Sequence, residues 1–129
     1  MSIAKAFNNH FKDFLDDVMV VLPNIKTLKT AKLYINNVLS LNPLILVKAW
    51  YIYCVTPYSS QIEKGDFSFF INKDYKRDVG ISAQYNSQNV LDAIETIRKQ
   101  AASLSKENQD KIIKYVQNLS KLSIMYNSK

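Results

Sequence analysis

Three carboxylates near the N-terminus, Asp13, Asp16 and Asp17, are the first residues in the chain that could do chemistry. Asp13 and Asp17 are four positions apart and share one helical face, with Asp16 off it. Oxygen ligands so spaced suit a divalent cation, but one helix rarely completes a coordination shell without partners from elsewhere. A solvated acidic face is therefore the expectation, with no metal site. Nitrogen and sulfur chemistry is equally short of parts, because the sequence holds one histidine, His10, and one cysteine, Cys54. A zinc site draws on several such ligands, and a Cys–His nucleophilic pair would need these two brought together in space. Cys54 falls in the most apolar stretch, where a buried inert thiol is expected. His10 lies at the edge of an apolar helical face. Phosphate-binding loops need clustered glycines, and the only two, Gly65 and Gly80, stand far apart. The sequence thus predicts no catalytic centre, no cofactor and no enzyme.

Two other residue sets could recognise a partner. The net charge is +6, which makes an acidic partner worth considering. Residues 1–22 are slightly acidic, whereas residues 23–56 carry Lys26, Lys29, Lys32 and Lys48 with no acid at all. Lys26, Lys29 and Lys32, interleaved with Thr27 and Thr30, could contact successive phosphates, with Tyr34 near enough to stack on a base. Against that, only two arginines occur, Arg77 and Arg98, and no recognition helix or RNA-binding signature is visible. Lysines on the outer face of an amphipathic helix usually serve solvation. Nucleic-acid binding through these lysines is the alternative function. The second set lies in Gly65 to Tyr75, where large aromatics alternate with capping residues. The plain expectation is an aromatic anchor docking a connector onto the core. The sharper one is a recognition segment, with Phe67, Phe69, Phe70 and Tyr75 as candidate partner-binding residues.

These residues must be positioned by a few long elements. The chain has 129 residues, 47% of them hydrophobic, enough for one core and one domain. Two Gly and three Pro cannot supply the many turns of a β-sandwich or barrel. The predicted fold is all-α, a bundle of about five helices. Ser2 can cap the first, which carries Ile3, Phe7, Phe11, Phe14, Val18 and Val21 on one face and ends at Pro23. A second helix spans about Ile25 to Leu41, with Leu28, Ala31, Ile35 and Val38 as its apolar stripe. The third, about Pro43 to Val55 with Asn42 as a cap, is apolar nearly all round and is expected to be the most buried element. Thr56-Pro57 is expected to stop it. Residues 57–88 read as an irregular aromatic connector, holding at most a turn or two closed by Gly65 and a short helix capped by Asp66. Two further helices, about 90–104 and 106–126, are expected to form an antiparallel hairpin, broken by Ser103-Leu104-Ser105.

The N-terminus shows no signal-peptide pattern, and a lone cysteine suits a reducing compartment, so an intracellular location is expected. The richest apolar run, Leu44 to Val55, is interrupted by Lys48 and falls short of the roughly 20 residues that span a bilayer. No transmembrane segment is expected.

The segment Asp66-Phe67-Ser68-Phe69-Phe70-Ile71-Asn72-Lys73-Asp74-Tyr75 resembles part of a family of small uncharacterised helical proteins of large nucleocytoplasmic DNA viruses. The similarity extends to Phe7-x3-Phe11-x2-Phe14-Leu15 and to the aromatic run Trp50-Tyr51-Ile52-Tyr53, and so covers most of the chain. Usage rich in Asn, Lys, Ile and Tyr also suits an AT-rich genome. The resemblance implies an all-helical protein of giant-virus type, placed in the host cytoplasm or the virion, and carries over no catalytic residue. The function expected is that of a non-enzymatic interaction or structural protein, docking on a protein partner or larger assembly such as a capsid.

Overall fold

The residues that favour helix ends sit where the helices begin and stop. The computed structural model describes residues 2–23, 25–72, 96 and 98–128. Ser2 caps α1 (Ile3–Val21), its hydroxyl accepting the Lys5 amide at 3.0 Å, which satisfies one of the orphan N–H groups of a first turn. Past Pro23, α2 runs over Lys26–Leu41. Asn42 then accepts the Leu44 amide on its side chain, and the Asn8 amide of α1 donates to the Pro43 carbonyl at 2.8 Å. This corner leads into α3 (Ile45–Trp50). At the other end of the chain, residues 98–102 are helical and Ser105 caps α6 (Lys106–Asn127), accepting the Asn108 amide at 3.2 Å. No strand occurs among the described residues, and the fold is all-α. Most of the expected helix over 90–104, and hence its hairpin with the last, lies outside the described residues.

Pro57 does not stop the third helix. Proline lacks an N–H, and its ring crowds the carbonyl four residues earlier. The chain relieves both by widening into a π-helical turn over Tyr51–Val55. The Thr56 amide reaches five residues back to the Tyr51 carbonyl, and its hydroxyl donates to the same oxygen at 2.9 Å. The helix resumes as α4 (Thr56–Lys64), with Tyr58 at φ −128°, ψ 15° marking the kink. Nor is the first part of the expected connector irregular. Gly65 adopts φ 66°, and the Gly65 and Asp66 amides bond back to Ile62 and Gln61, a Schellman end that glycine enters without strain. Asp66 then caps α5 (Phe67–Asn72), accepting the Phe69 amide at 3.1 Å and the Ser68 hydroxyl at 2.8 Å.

Among the described residues the core has two clusters. Ala4, Phe7, Val47 and Leu119 form one, flanked by Phe11, Trp50, Leu122 and Tyr126, and join α1, α3 and α6. Val18, Leu22, Ile25 and Leu28 form the other, flanked by Met19, Leu104 and Ile112. Phe14 packs against both. Burying each such large side chain contributes about 1.5–3 kcal/mol. Polar groups within the α3–α6 contact are paired. The Trp50 indole donates to the Ser120 hydroxyl at 2.9 Å, and the buried Ser123 hydroxyl donates to the Val47 carbonyl at 2.8 Å.

The third helix is not the most buried element. Val47 and Val55 are buried, while Ile45, Lys48, Tyr51, Ile52 and Tyr53 are exposed. The physical reason is coverage. α1 and α6 pack on one side, and the chain turns through 114° at the corner between α2 and the continuous helix Ile45–Lys64. An all-apolar helix needs neighbours all round, and among the described residues these neighbours cover only part of it.

Candidate functional site

Two of the three carboxylates on α1 make tertiary contacts, while Asp13 and Asp16 stay exposed as a solvated acidic face would. Asp16 pairs with Lys32 of α2, and Asp17 accepts the hydroxyl of Tyr115 from α6. Asp13 is exposed. The hydrogen bond to Asp17 comes first among the causes that push the Tyr115 hydroxyl up to about 12, followed by its burial and the negative charges of Asp17 and Asp13. Like any tyrosine Tyr115 is a proton donor at neutral pH, and here it remains one further into the alkaline range. Its ring lies 4.9 Å from that of His10 and 5.3 Å from that of Phe14. The His10 Nε2 is buried without a hydrogen-bond partner among the described residues. No group of three or more His, Cys, Asp or Glu there is placed to hold a metal ion. Tyr115 was invisible to sequence reasoning, because its partner is 98 positions away and nothing local marks the pairing.

The other sequence-derived residues separate into different settings. Lys26 and Lys29 are exposed on α2, whereas Lys32 is half-buried and held by Asp16. Phe67, Phe69 and Phe70 are half-buried. Phe69 and Phe70 pack edge to face at 5.2 Å and both meet Tyr58, at 6.1 and 6.0 Å. The three rings form a small aromatic cluster between α4 and α5. Tyr75 lies outside the described residues. Cys54 is half-buried.

A groove of about 200 Å³ runs between α4 and α6, with Ser59, Ile62, Glu63, Gln117 and Lys121 on its walls. Sites for drug-sized ligands are usually about 300–1,000 Å³ and carry convergent polar groups. Here the Gln117 amide already donates to the Ile62 carbonyl at 3.0 Å, one of the last carbonyls of α4. Its geometry is that of a helix-end cap rather than of a ligand cradle.

The feature with most functional content is an apolar face left uncovered among the described residues. On α2 the residues Lys26, Lys29, Thr30, Leu33, Tyr34, Asn37 and Leu41 fall within an arc of about 140°, at about 100° per residue, and all are exposed. Leu28 and Leu39 on the opposite side are buried. The arc is basic towards the helix start and apolar towards its end, where Leu41 is 87% exposed. Past the corner Leu44, Ile45 and Ile52 are exposed as well, Ile52 at 58%, and Ile45 and Ile52 stand two turns apart on one side of their own helix with Lys48 beside them. No Asp or Glu occurs between Asp17 and Glu63. Sequence reasoning expected Leu44, Ile45 and Ile52 to be buried in an all-apolar third helix and named Tyr34 only for stacking on a base; it gave Leu33 and Leu41 no role, since periodicity does not report which side of a helix is covered. No single helix among the described residues is long and apolar enough to cross a membrane. No protein family, curated protein or solved structure matches the chain, so the geometry alone carries the functional reading.

Proposed function

We propose that this chain is a non-enzymatic interaction module whose docking surface is the apolar and basic face of α2, the corner at Asn42–Leu44 and α3. One observation carries the reading: Leu33, Tyr34, Leu41, Ile45, Ile52 and Tyr53 stand exposed along two helices joined at that corner. Large apolar side chains grouped on a surface mark interaction sites. The two Asp carboxylates that pair across helices and the proton-retaining Tyr115 act structurally in this reading and perform no turnover. The resemblance to giant-virus proteins would place the docking event in an infected cell's cytoplasm or in the virion, with a capsid-like assembly as one setting.

The test is a photo-crosslinking residue placed at Leu41 or, as a control, at Lys111 on α6, in the full-length protein expressed in its native setting. Adducts should form predominantly from position 41. Equal labelling from both positions, or none from position 41, would remove the docking surface.

A second reading is supported by the acid-free stretch itself. Lys26 and Lys29 share the exposed arc of α2 and could bind nucleic-acid phosphates, with Lys32 contributing less because Asp16 neutralises it. Binding to DNA or RNA that weakens steeply with salt and is lost in Lys26→Glu/Lys29→Glu would establish it. Indifference to both salt and mutation would remove it.

A further inference from the structure

We infer that the occupant of this face is the surface of an anionic lipid bilayer, on which α2 and α3 lie with their shared corner inserted. The inference rests on the docking reading above and specifies its partner.

Three observations on the face select lipid. The first is its apolar chemistry. Leu33, Leu41, Leu44, Ile45 and Ile52 are aliphatic and exposed. Aliphatic side chains offer a nucleic acid neither stacking nor hydrogen bonds, whereas they gain directly by entering acyl chains. The second is the placement of aromatics and charge. Tyr34 and Tyr53 lie beside the aliphatic strip with 67% and 53% of their surface exposed, and tyrosine favours the boundary between hydrocarbon and water. Lys26, Lys29 and Lys48 are exposed around the strip, and the segment between Asp17 and Glu63 contains no acid to repel lipid phosphates. Juxtaposed lysines of this kind draw a protein to anionic headgroups.

The third observation is shape. A window of 18 residues across Leu28–Leu41 and Ile45–Lys64 is as apolar and as poor in charge as a membrane span, yet the chain turns through 114° between the two helices. Their opposite sides are already used, Leu28 and Leu39 of α2 and Val47 and Val55 of the second helix being buried in the protein. A pair bent in this way, with one side bound to protein, fits shallow insertion of a corner better than a crossing. Asn8 fixes the corner by its bond to the Pro43 carbonyl, so the inserting loop is held in shape before it meets lipid.

The experiment is co-sedimentation of the full-length protein with phosphatidylcholine vesicles, with or without 30% phosphatidylserine, over a salt series. Binding should be at least tenfold stronger to the anionic vesicles, should weaken with salt as surface charges are screened, and should be released by alkaline carbonate. Leu41→Glu/Ile52→Glu should abolish it, and Lys26→Glu/Lys29→Glu should lower it at least tenfold. Lys111→Glu/Lys114→Glu, with the same charge change on α6, should stay within about twofold. Circular dichroism spectra checked for each variant exclude unfolding as the cause of a loss. Equal loss in the α6 variant would mean that net charge alone attracts the protein, and would overturn the inference. So would resistance to carbonate, which marks an integral span, or tighter binding to DNA than to vesicles that survives Leu41→Glu/Ile52→Glu. No vesicle binding, with protein adducts still forming from position 41, would overturn the lipid inference alone. No adducts of any class from that position would remove the docking reading as well.

Discussion

The contact of α1 and α3 with α6 and the corner between α2 and α3 use similar residues to opposite ends. In the first, Phe7, Val47 and Leu119 are fully buried and the polar groups between them are paired, Trp50 with Ser120 and Ser123 with the Val47 carbonyl. In the second, Leu33, Leu41 and Ile52 are as hydrophobic as any core residue and face outward. The difference teaches that composition does not separate a core from a docking surface. What separates them is the presence of a neighbouring element, and α2 turns away at Asn42–Leu44 instead of covering the outer side of α3.

Breaking the packed side should have the largest effect. Phe7→Ala removes a fully buried ring that meets Phe11 at 6.3 Å and Trp50 at 6.0 Å, and should cost about 3–5 kcal/mol in urea unfolding. A cost under about 1 kcal/mol would mean that this cluster is not the core.

Tyr115→Phe should have an intermediate effect, about 1–2 kcal/mol near neutral pH, because it deletes a hydrogen bond to the Asp17 carboxylate. Its pH dependence is distinctive. The folded protein holds the Tyr115 proton up to about pH 12, against an ordinary value of 10.0. A tyrosine that keeps its proton longer when folded stabilises the fold fully below its unfolded value, and that contribution disappears as the pH rises through the folded value. The stability gap between wild type and Tyr115→Phe should therefore shrink between pH 10 and pH 12. In absorbance titration of phenolate formation, the variant should lack one late-titrating group. A gap that is constant with pH would place the Tyr115 hydroxyl elsewhere.

Truncations on the uncovered side should do least. Leu41→Ala should change unfolding stability by no more than about 0.5 kcal/mol, since at 87% exposure its side chain has little surface left to expose. A loss comparable to that of Phe7→Ala would show that the face is covered in solution, and would erase the contrast.

Helix ends and the core face of α1 were legible because their causes are local. Ser2, Gly65, Asp66 and Ser105 act through hydrogen bonds spanning three to five residues, and the 3.6-residue period of Phe7, Phe11, Phe14 and Val18 marks the face that α6 and α3 cover. Pro57 misled because its local rule forbids an α-helical turn but not the wider π turn, which the Thr56 amide and hydroxyl stabilise from the preceding position. Phe67, Phe69 and Phe70 were recognisable as a group, yet the cluster of Phe69 and Phe70 with Tyr58 depended on the continuation of that helix past Pro57.

Residue types alone were enough for the all-α class, the helix caps and the absence of any acid between Asp17 and Glu63. Each of these follows from backbone hydrogen bonding over one turn or from composition alone. Only the tertiary structure decided that Asp16 meets Lys32, that Asp17 meets Tyr115, and that Leu41 and Ile52 face outward. Those outcomes depend on how rigid helices are turned against one another, and a corner of three residues sets that angle for two whole apolar faces.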